Sequence, residues 1–146
     1  MKNIFKLSFI LLAILFCSCG DSIKGSLDKQ LAGADMIKIY FYDKNGKLTG
    51  KENIITIEDK EIIGKLTQAI SDETAPDYKC GYTGSMEYFK AGKSVLNTEF
   101  NVMPECSHII FQIKANMYSK KLTPESVLII NKYYEMIDSR NKASLN

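Results

Sequence analysis

The sequence predicts an α+β domain in which an antiparallel sheet of about six strands, met in the order ββαββββα, carries two helices on one face. Three observations predict it. Several short runs alternate apolar and polar residues, the period of half-buried strands. Turn-forming pairs separate neighbouring runs closely enough for hairpins, which makes adjacent strands antiparallel. Two other stretches open with a capping residue and space their apolar residues as a helix does, and such stripes bury themselves against one sheet face.

The first strand is read from Ile37, Ile39 and Phe41, which alternate with Lys38, Tyr40 and Tyr42. Asn45-Gly46 follows and suits a type I′ hairpin, because both residues tolerate positive φ. A second strand is expected over residues 54–57. Asp59 then caps a helix whose Ile62, Ile63, Leu66, Ala69 and Ile70 share a face. Residues 71–77, with Pro76, read as a loop. Residues 84–90 and 94–102 flank Ala91-Gly92 as a hairpin, and Leu96, Thr98, Phe100 and Val102 alternate with Asn97, Glu99 and Asn101. Pro104 ends that run. Residues 108–113 and 117–122 form another hairpin around Ala115-Asn116. Thr123-Pro124-Glu125 supplies an N-cap, a first-turn proline and an acid at the positive end of the dipole, opening a helix through Ile137.

Ahead of this unit, residues 20–34 are mostly small and polar. They read as a tether over 19–34 that spans about 20 Å as a flexible coil. A short helix over residues 27–31, packed on the domain, is the alternative. The single α+β domain accordingly occupies 35–146.

At 146 residues the chain has room for one domain and not for a multidomain enzyme. Its formal charge of +2 comes from 19 basic against 17 acidic residues, and the excess is Lys2 and Lys6. Those lysines precede an apolar run over residues 7–16, broken only by Ser8, and then a small-residue junction. This is the plan of a secretory signal, removed as residues 1–18. An apolar helix of about ten residues rises only about 15 Å, too little for a hydrocarbon core of roughly 30 Å. Without the leader, basic and acidic residues balance at 17 each, and Arg140 is the only arginine. A neutral, nearly arginine-free domain lacks the planar forks that grip phosphate and guanine, so nucleic acid is not an expected partner.

Phe16-Cys17-Ser18-Cys19 resembles the lipobox of bacterial lipoproteins, in which an apolar, a variable and a small residue precede a lipidated cysteine. The resemblance covers about the first twenty residues. It implies that Cys19 becomes the N-terminus, carrying a thioether-linked diacylglycerol and an amide-linked acyl chain such as palmitate. Two or three chains, at about 0.8 kcal/mol per buried CH₂, hold a protein stably where one would not. The protein is therefore expected to be exported and lipid-anchored to a bacterial cell envelope.

Export leaves Cys80 and Cys106 in a compartment that permits disulfides, and the two are expected to pair. Closing a loop of that length stabilises by about 3.5 kcal/mol in the chain-entropy account. A thiolate or metal site is the alternative, because Cys106-Ser107-His108 puts the only histidine beside a cysteine; one such pair matches no zinc spacing well. Other motifs are weaker still. Gly81-Tyr82-Thr83-Gly84-Ser85 has neither the lysine of a phosphate loop nor the second glycine of a nucleophile elbow, and reads as a close-approach or bulge segment. Asp43-Lys44-Asn45-Gly46 has part of a calcium loop, but Phe41 occupies the first ligand position, which favours a turn. No catalytic residue, metal or cofactor is assigned.

Tyrosines are the better functional signal. Tyr40 and Tyr42 share the polar face of the first strand, while Tyr78, Tyr82 and Tyr88 cluster around the glycine-rich segment. A large apolar body with a polar tip suits exposed recognition surfaces. The five tyrosines form the expected binding surface unless neighbouring elements cover them. The sequence thus points to a non-enzymatic, membrane-anchored module that binds an envelope or extracellular protein or polymer. The alternative is an inhibitor of a secreted hydrolase, a lysozyme or a protease, though lysozyme-inhibitor lipoproteins are all-β barrels and this chain has two expected helices.

Overall fold

The computed structural model describes residues 22–76 and 79–143. The expected signal peptide, Cys19 and Tyr78 lie outside the described residues. Seven strands form one antiparallel sheet: β1 (Met36–Phe41), β2 (Ile54–Ile57), β3 (Ile70–Thr74), β4 (Gly84–Lys90), β5 (Lys93–Asn101), β6 (His108–Ile113) and β7 (Asn116–Leu122). Their spatial order is β2-β1-β4-β5-β6-β7-β3. Three helices accompany them: α1 (Ile23–Leu31), α2 (Lys60–Thr67) and α3 (Pro124–Ala143). None of the described helices is long and apolar enough to cross a membrane.

The α+β class and antiparallel sheet are as expected, with one strand and one helix more. The added helix corrects the tether. Ile23, Leu27 and Leu31 recur every four residues, so a segment poor in apolar residues still owns one apolar stripe. Ser22 caps it by accepting from the Gly25 N–H at 3.0 Å, and Leu27 and Leu31 are 2% and 3% exposed in the core. The folded unit therefore starts at least twelve residues before Asp35, at Ile23.

The added strand corrects the loop at 71–77. β3 pairs with β7 through Ile70 opposite Leu122 and Thr74 opposite Lys120, with a register shift between. Its Ser-Asp-Glu-Thr run lacks apolar alternation because only Ile70 is buried along it. An edge strand with charged residues needs no second apolar face and resists further pairing.

Turns divide the sheet into two unlike ends. At one end, Lys90 opposes Lys93 across Ala91 (φ 50°) and Gly92 (φ 75°), and Ile113 opposes Asn116 across Lys114 (φ 57°) and Ala115. The second turn is one residue earlier than the Ala115-Asn116 expected. At the other end the connections between β1 and β2 and between β5 and β6 are long. β1 and β2 are antiparallel, with Tyr40 opposite Ile54, but Asn45-Gly46 is not a two-residue turn. Asp43 bonds the backbone of Asn45 and Lys47 and closes a local loop instead, and a 3-10 turn at Lys51–Asn53 leads into β2.

The core lies between one sheet face and the helices. Ile37, Ile39, Phe41, Met86, Tyr88, Phe100, Ile109 and Phe111 point into it, with Leu27, Leu66, Ile130 and Ile137 from the helices. α2 ends at Thr67, short of the expected apolar face, and Ile70 is buried from β3 rather than from the helix. α3 continues past Ile137 to Ala143.

Candidate functional site

The five expected tyrosines do not form one surface. Tyr88 is fully buried, with its hydroxyl donating to the Leu66 carbonyl at 3.1 Å, so it ties β4 to α2 and is removed from the binding set. Its place in β4 explains this: Gly84, Met86 and Tyr88 form the alternate set that faces the helices. Burial also drives its hydroxyl pKa far upward. Tyr40 lies half-buried on the uncovered sheet face, donating to Glu87 Oε2 at 2.9 Å. Its hydroxyl pKa is raised, first by burial and then by that carboxylate.

Tyr42 and Tyr82 do meet. They line a cleft of about 740 Å³ at the long-loop end, with Phe41, residues 43–46, residues 80–83, residues 101–104, Asn131 and Tyr134. That volume is in the range of small-ligand sites. A shallower depression of about 500 Å³ on the uncovered sheet face is lined by Tyr40, Glu87, Asn97, Glu99 and Gln112.

Three strand ends hold the cleft in place. The Tyr42 N–H donates to the Thr83 carbonyl at 3.0 Å, and the Thr83 N–H donates to the Phe100 carbonyl at 2.8 Å, so β1, β4 and β5 are laced beyond their ladders. The Asn101 side chain donates to the Gly81 carbonyl at 3.0 Å and accepts from the Met103 N–H at 2.8 Å. Gly84 permits the approach: a Cβ there would stand 2.5 Å from the Tyr40 carbonyl and 2.6 Å from Phe100 Cζ. The glycine-rich segment is thus the close-approach element that was expected. Cys80 and Cys106 are joined by a disulfide, Cα atoms 6.3 Å apart, which ties this segment to the 3-10 turn Pro104–Cys106.

Aromatic rings supply the cleft's shape. Phe41 packs edge-on against Phe100 at 6.2 Å and tilts against Tyr134 at 5.6 Å. Tyr134 keeps 49% of its surface exposed and Met103 55%. Tyr82 lies against His108 at 5.8 Å, its hydroxyl pKa raised by burial and then by Glu99. His108 is buried with Nδ1 2.6 Å from the Cys106 carbonyl, so the only histidine is structural here. Among the described residues, no three His, Cys, Asp or Glu side chains converge as a metal site.

Charge is scarce around the cleft. Asp43 and Lys44 are its charged residues. The backbone N–H of Lys47, and those of Asn45, hold the Asp43 carboxyl below the usual carboxylate range and occupy its oxygens. The Asn131 amide makes no hydrogen bond among the described residues. The arrangement can stack and hydrogen-bond a ligand.

Sequence reasoning missed Phe41, Met103, Asn131 and Tyr134. Tyr134 lies four residues after Ile130 and three before Ile137, which marks it as core-facing. Its exposure arises because α3 there crosses the end of β1, where the sheet stops. A scan against protein-family models finds no match to this chain, and searches of curated proteins and of solved structures find none either.

Proposed function

We propose that the protein is an exported lipoprotein, held to a bacterial envelope membrane by acyl chains on Cys19, whose domain binds an envelope or extracellular protein or polymer and carries out no reaction. The observation that carries this reading is the cleft at the disulfide end. Tyr42, Tyr82 and Tyr134 surround a cavity of about 740 Å³ with an uncommitted amide, Asn131, and one available charge, Lys44. Aromatic residues and a few placed polar groups are what binding sites use for orientation and affinity. The lining suits a ligand with apolar faces and hydrogen-bonding edges, neutral or weakly acidic. A strongly basic ligand meets one carboxylate there, Asp43, whose oxygens are already hydrogen-bonded within its own loop.

A second reading, inhibition of a secreted lysozyme or protease, is favoured by the loop over residues 43–48. It is ordered by Asp43, and its residues 44–48 are exposed, Leu48 among them at 44%. An ordered, exposed loop beside a cleft is the form an inhibitor presents to an enzyme.

The test is crosslinking capture from envelope extracts by the full chain and by Tyr134→Ala. The cleft reading expects a defined species held by the natural chain and lost at least tenfold in the variant; equal capture by both would overturn it. Muramidase and protease rates measured in the same extracts stay unchanged for a binding module and fall for an inhibitor.

A further inference from the structure

The placement of α1 points to a defined orientation on the membrane: we propose that the short-turn end of the sheet docks against anionic phospholipid headgroups, so that the tyrosine cleft opens away from the bilayer. This rests on the acylation of Cys19 proposed above. Three residue steps separate Cys19 from Ser22, the cap of α1, and a fully extended chain covers about 11 Å in that distance. With α1 packed into the core, those steps are the whole slack between acyl chains and domain. The point of attachment therefore decides which surface meets the lipid.

That point lies beside β3 and β7, where Ser22 lines a crevice with Ser71, Asp72 and Lys120, and the next turn of α1 reaches the short-turn end. Ile23 and Ser26 line a crevice with Ile113, Lys114, Asn116 and Tyr118 at the β6–β7 turn. From there α1 crosses the end of the sheet to the β4–β5 turn. Gln30 reaches the Val95 carbonyl, and the Lys90 ammonium donates to the Ala32 carbonyl at 2.7 Å. The cleft is at the far end of the same strands. β5 alone runs nine residues from Lys93 to Asn101, about 30 Å at the usual rise per residue.

The surface around the attachment point is basic. Lys24 projects from α1, Lys93 and Lys114 from the two turns, and each is exposed with no ion pair among the described residues. Lys120 is close by, donating to the Asp72 carbonyl at 2.8 Å, and Lys29 and Lys90 extend the patch along α1. Asp28, Asp35, Asp72 and Glu73 are the acids among them; Asp35 accepts the Ala91 N–H at 2.8 Å and Glu73 pairs with Lys121 at 2.6 Å. Glu58, Asp59 and Glu61 are also at this end of the sheet, but they follow β2, four strand positions from β6 and so about 19 Å to the side. Lysines near a charged leaflet act within a Debye length of about 8 Å, a distance comparable with the reach of the attachment, so Lys24 and Lys114 can approach the headgroups that closely. The acids at the β2 side tilt the domain, with the β6–β7 turn lowest. Met117, 63% exposed beside Lys114, then meets the headgroup layer rather than water.

The experiment uses the full acylated chain reconstituted in vesicles containing one third phosphatidylglycerol, labelled with a membrane-impermeant amine acylator and mapped by mass spectrometry. The same digest reads the mass of the peptide that begins at Cys19. Docking expects Lys24, Lys93 and Lys114 to react at least fivefold more slowly than Lys44 and Lys47 at the cleft end, with the protection reduced in phosphatidylcholine vesicles and at high salt. Lys93→Gln with Lys114→Gln should expose Lys24 to labelling. Equal rates at both ends on an acylated chain would overturn the docking and leave the anchor standing. An unmodified Cys19 peptide would overturn the anchor and the docking with it.

Discussion

The two ends of the sheet are built on opposite plans. At the short-turn end, two-residue connections join β4 to β5 and β6 to β7, and α1 lies across them with Leu27 and Leu31 buried. At the cleft end, the strand-to-strand connections over residues 42–53 and 102–107 are long, the connection after β3 returns there to enter β4, and α3 crosses by Tyr134 against Phe41 and Asn141 against Asn53. Tight turns hold themselves by local backbone geometry. Long loops have more conformational entropy to lose, and these are fixed by added devices: a disulfide, the Asp43 loop, the Asn101 bridge and the close approach at Gly84. Such devices concentrate where side chains must be presented on a rigid frame, which is what the proposed recognition at the cleft end requires.

The contrast can be broken from either side. The largest effect is expected from removing Cys80–Cys106: replacing both cysteines by Ala should cost about 3.5 kcal/mol in denaturant melts. Hydrogen exchange should accelerate first at residues 79–83 and 102–107, and uniform acceleration would show that the disulfide does not serve this end in particular. Next is Leu27→Ala, expected to cost about 3 kcal/mol as a core truncation. A loss below about 0.5 kcal/mol would return residues 23–31 to the status of a tether.

Smaller effects probe the loops and turns themselves. The Asp43 carboxyl is held below its ordinary range, so its contribution to loop order is complete above the unfolded carboxylate pKa and lost as pH falls through the lower folded value. Amide exchange at Asn45 and Lys47 should therefore quicken in acid beyond the intrinsic trend, and Asp43→Asn should remove that extra dependence. Ala91 sits at φ 50°, so Ala91→Gly should raise stability by about 0.5 kcal/mol without touching the cleft. A fall in stability would mean that the turn does not control its own conformation.

Much of the fold was legible wherever local signals and tertiary demands agree. The runs in β4 and β6, the Ala91-Gly92 turn and the Thr123-Pro124-Glu125 helix start are all short-range statements. α1 is hidden in the composition: three apolar residues in nine look sparse, yet they fall on one stripe. β3 carries no periodic signal at all, since only its first residue enters the core. The site was half legible. Tyr42 and Tyr82 flank turn-forming segments, whereas Tyr88 shares the alternation of β4 and its burial follows from which face the helices cover. Tyr134 joined the cleft through the crossing of α3 over β1, a tertiary fact with no local signature.

The central claim, that one end of this domain is attached and the other end recognises, is tested most directly by photo-crosslinkers placed singly at Tyr134 and at Lys93 in the full chain in envelope membranes. Crosslinks from position 134 to a discrete protein or polymer, and from position 93 to phospholipid, are expected. Lipid adducts at position 134, or the same partner captured from both positions, would contradict it.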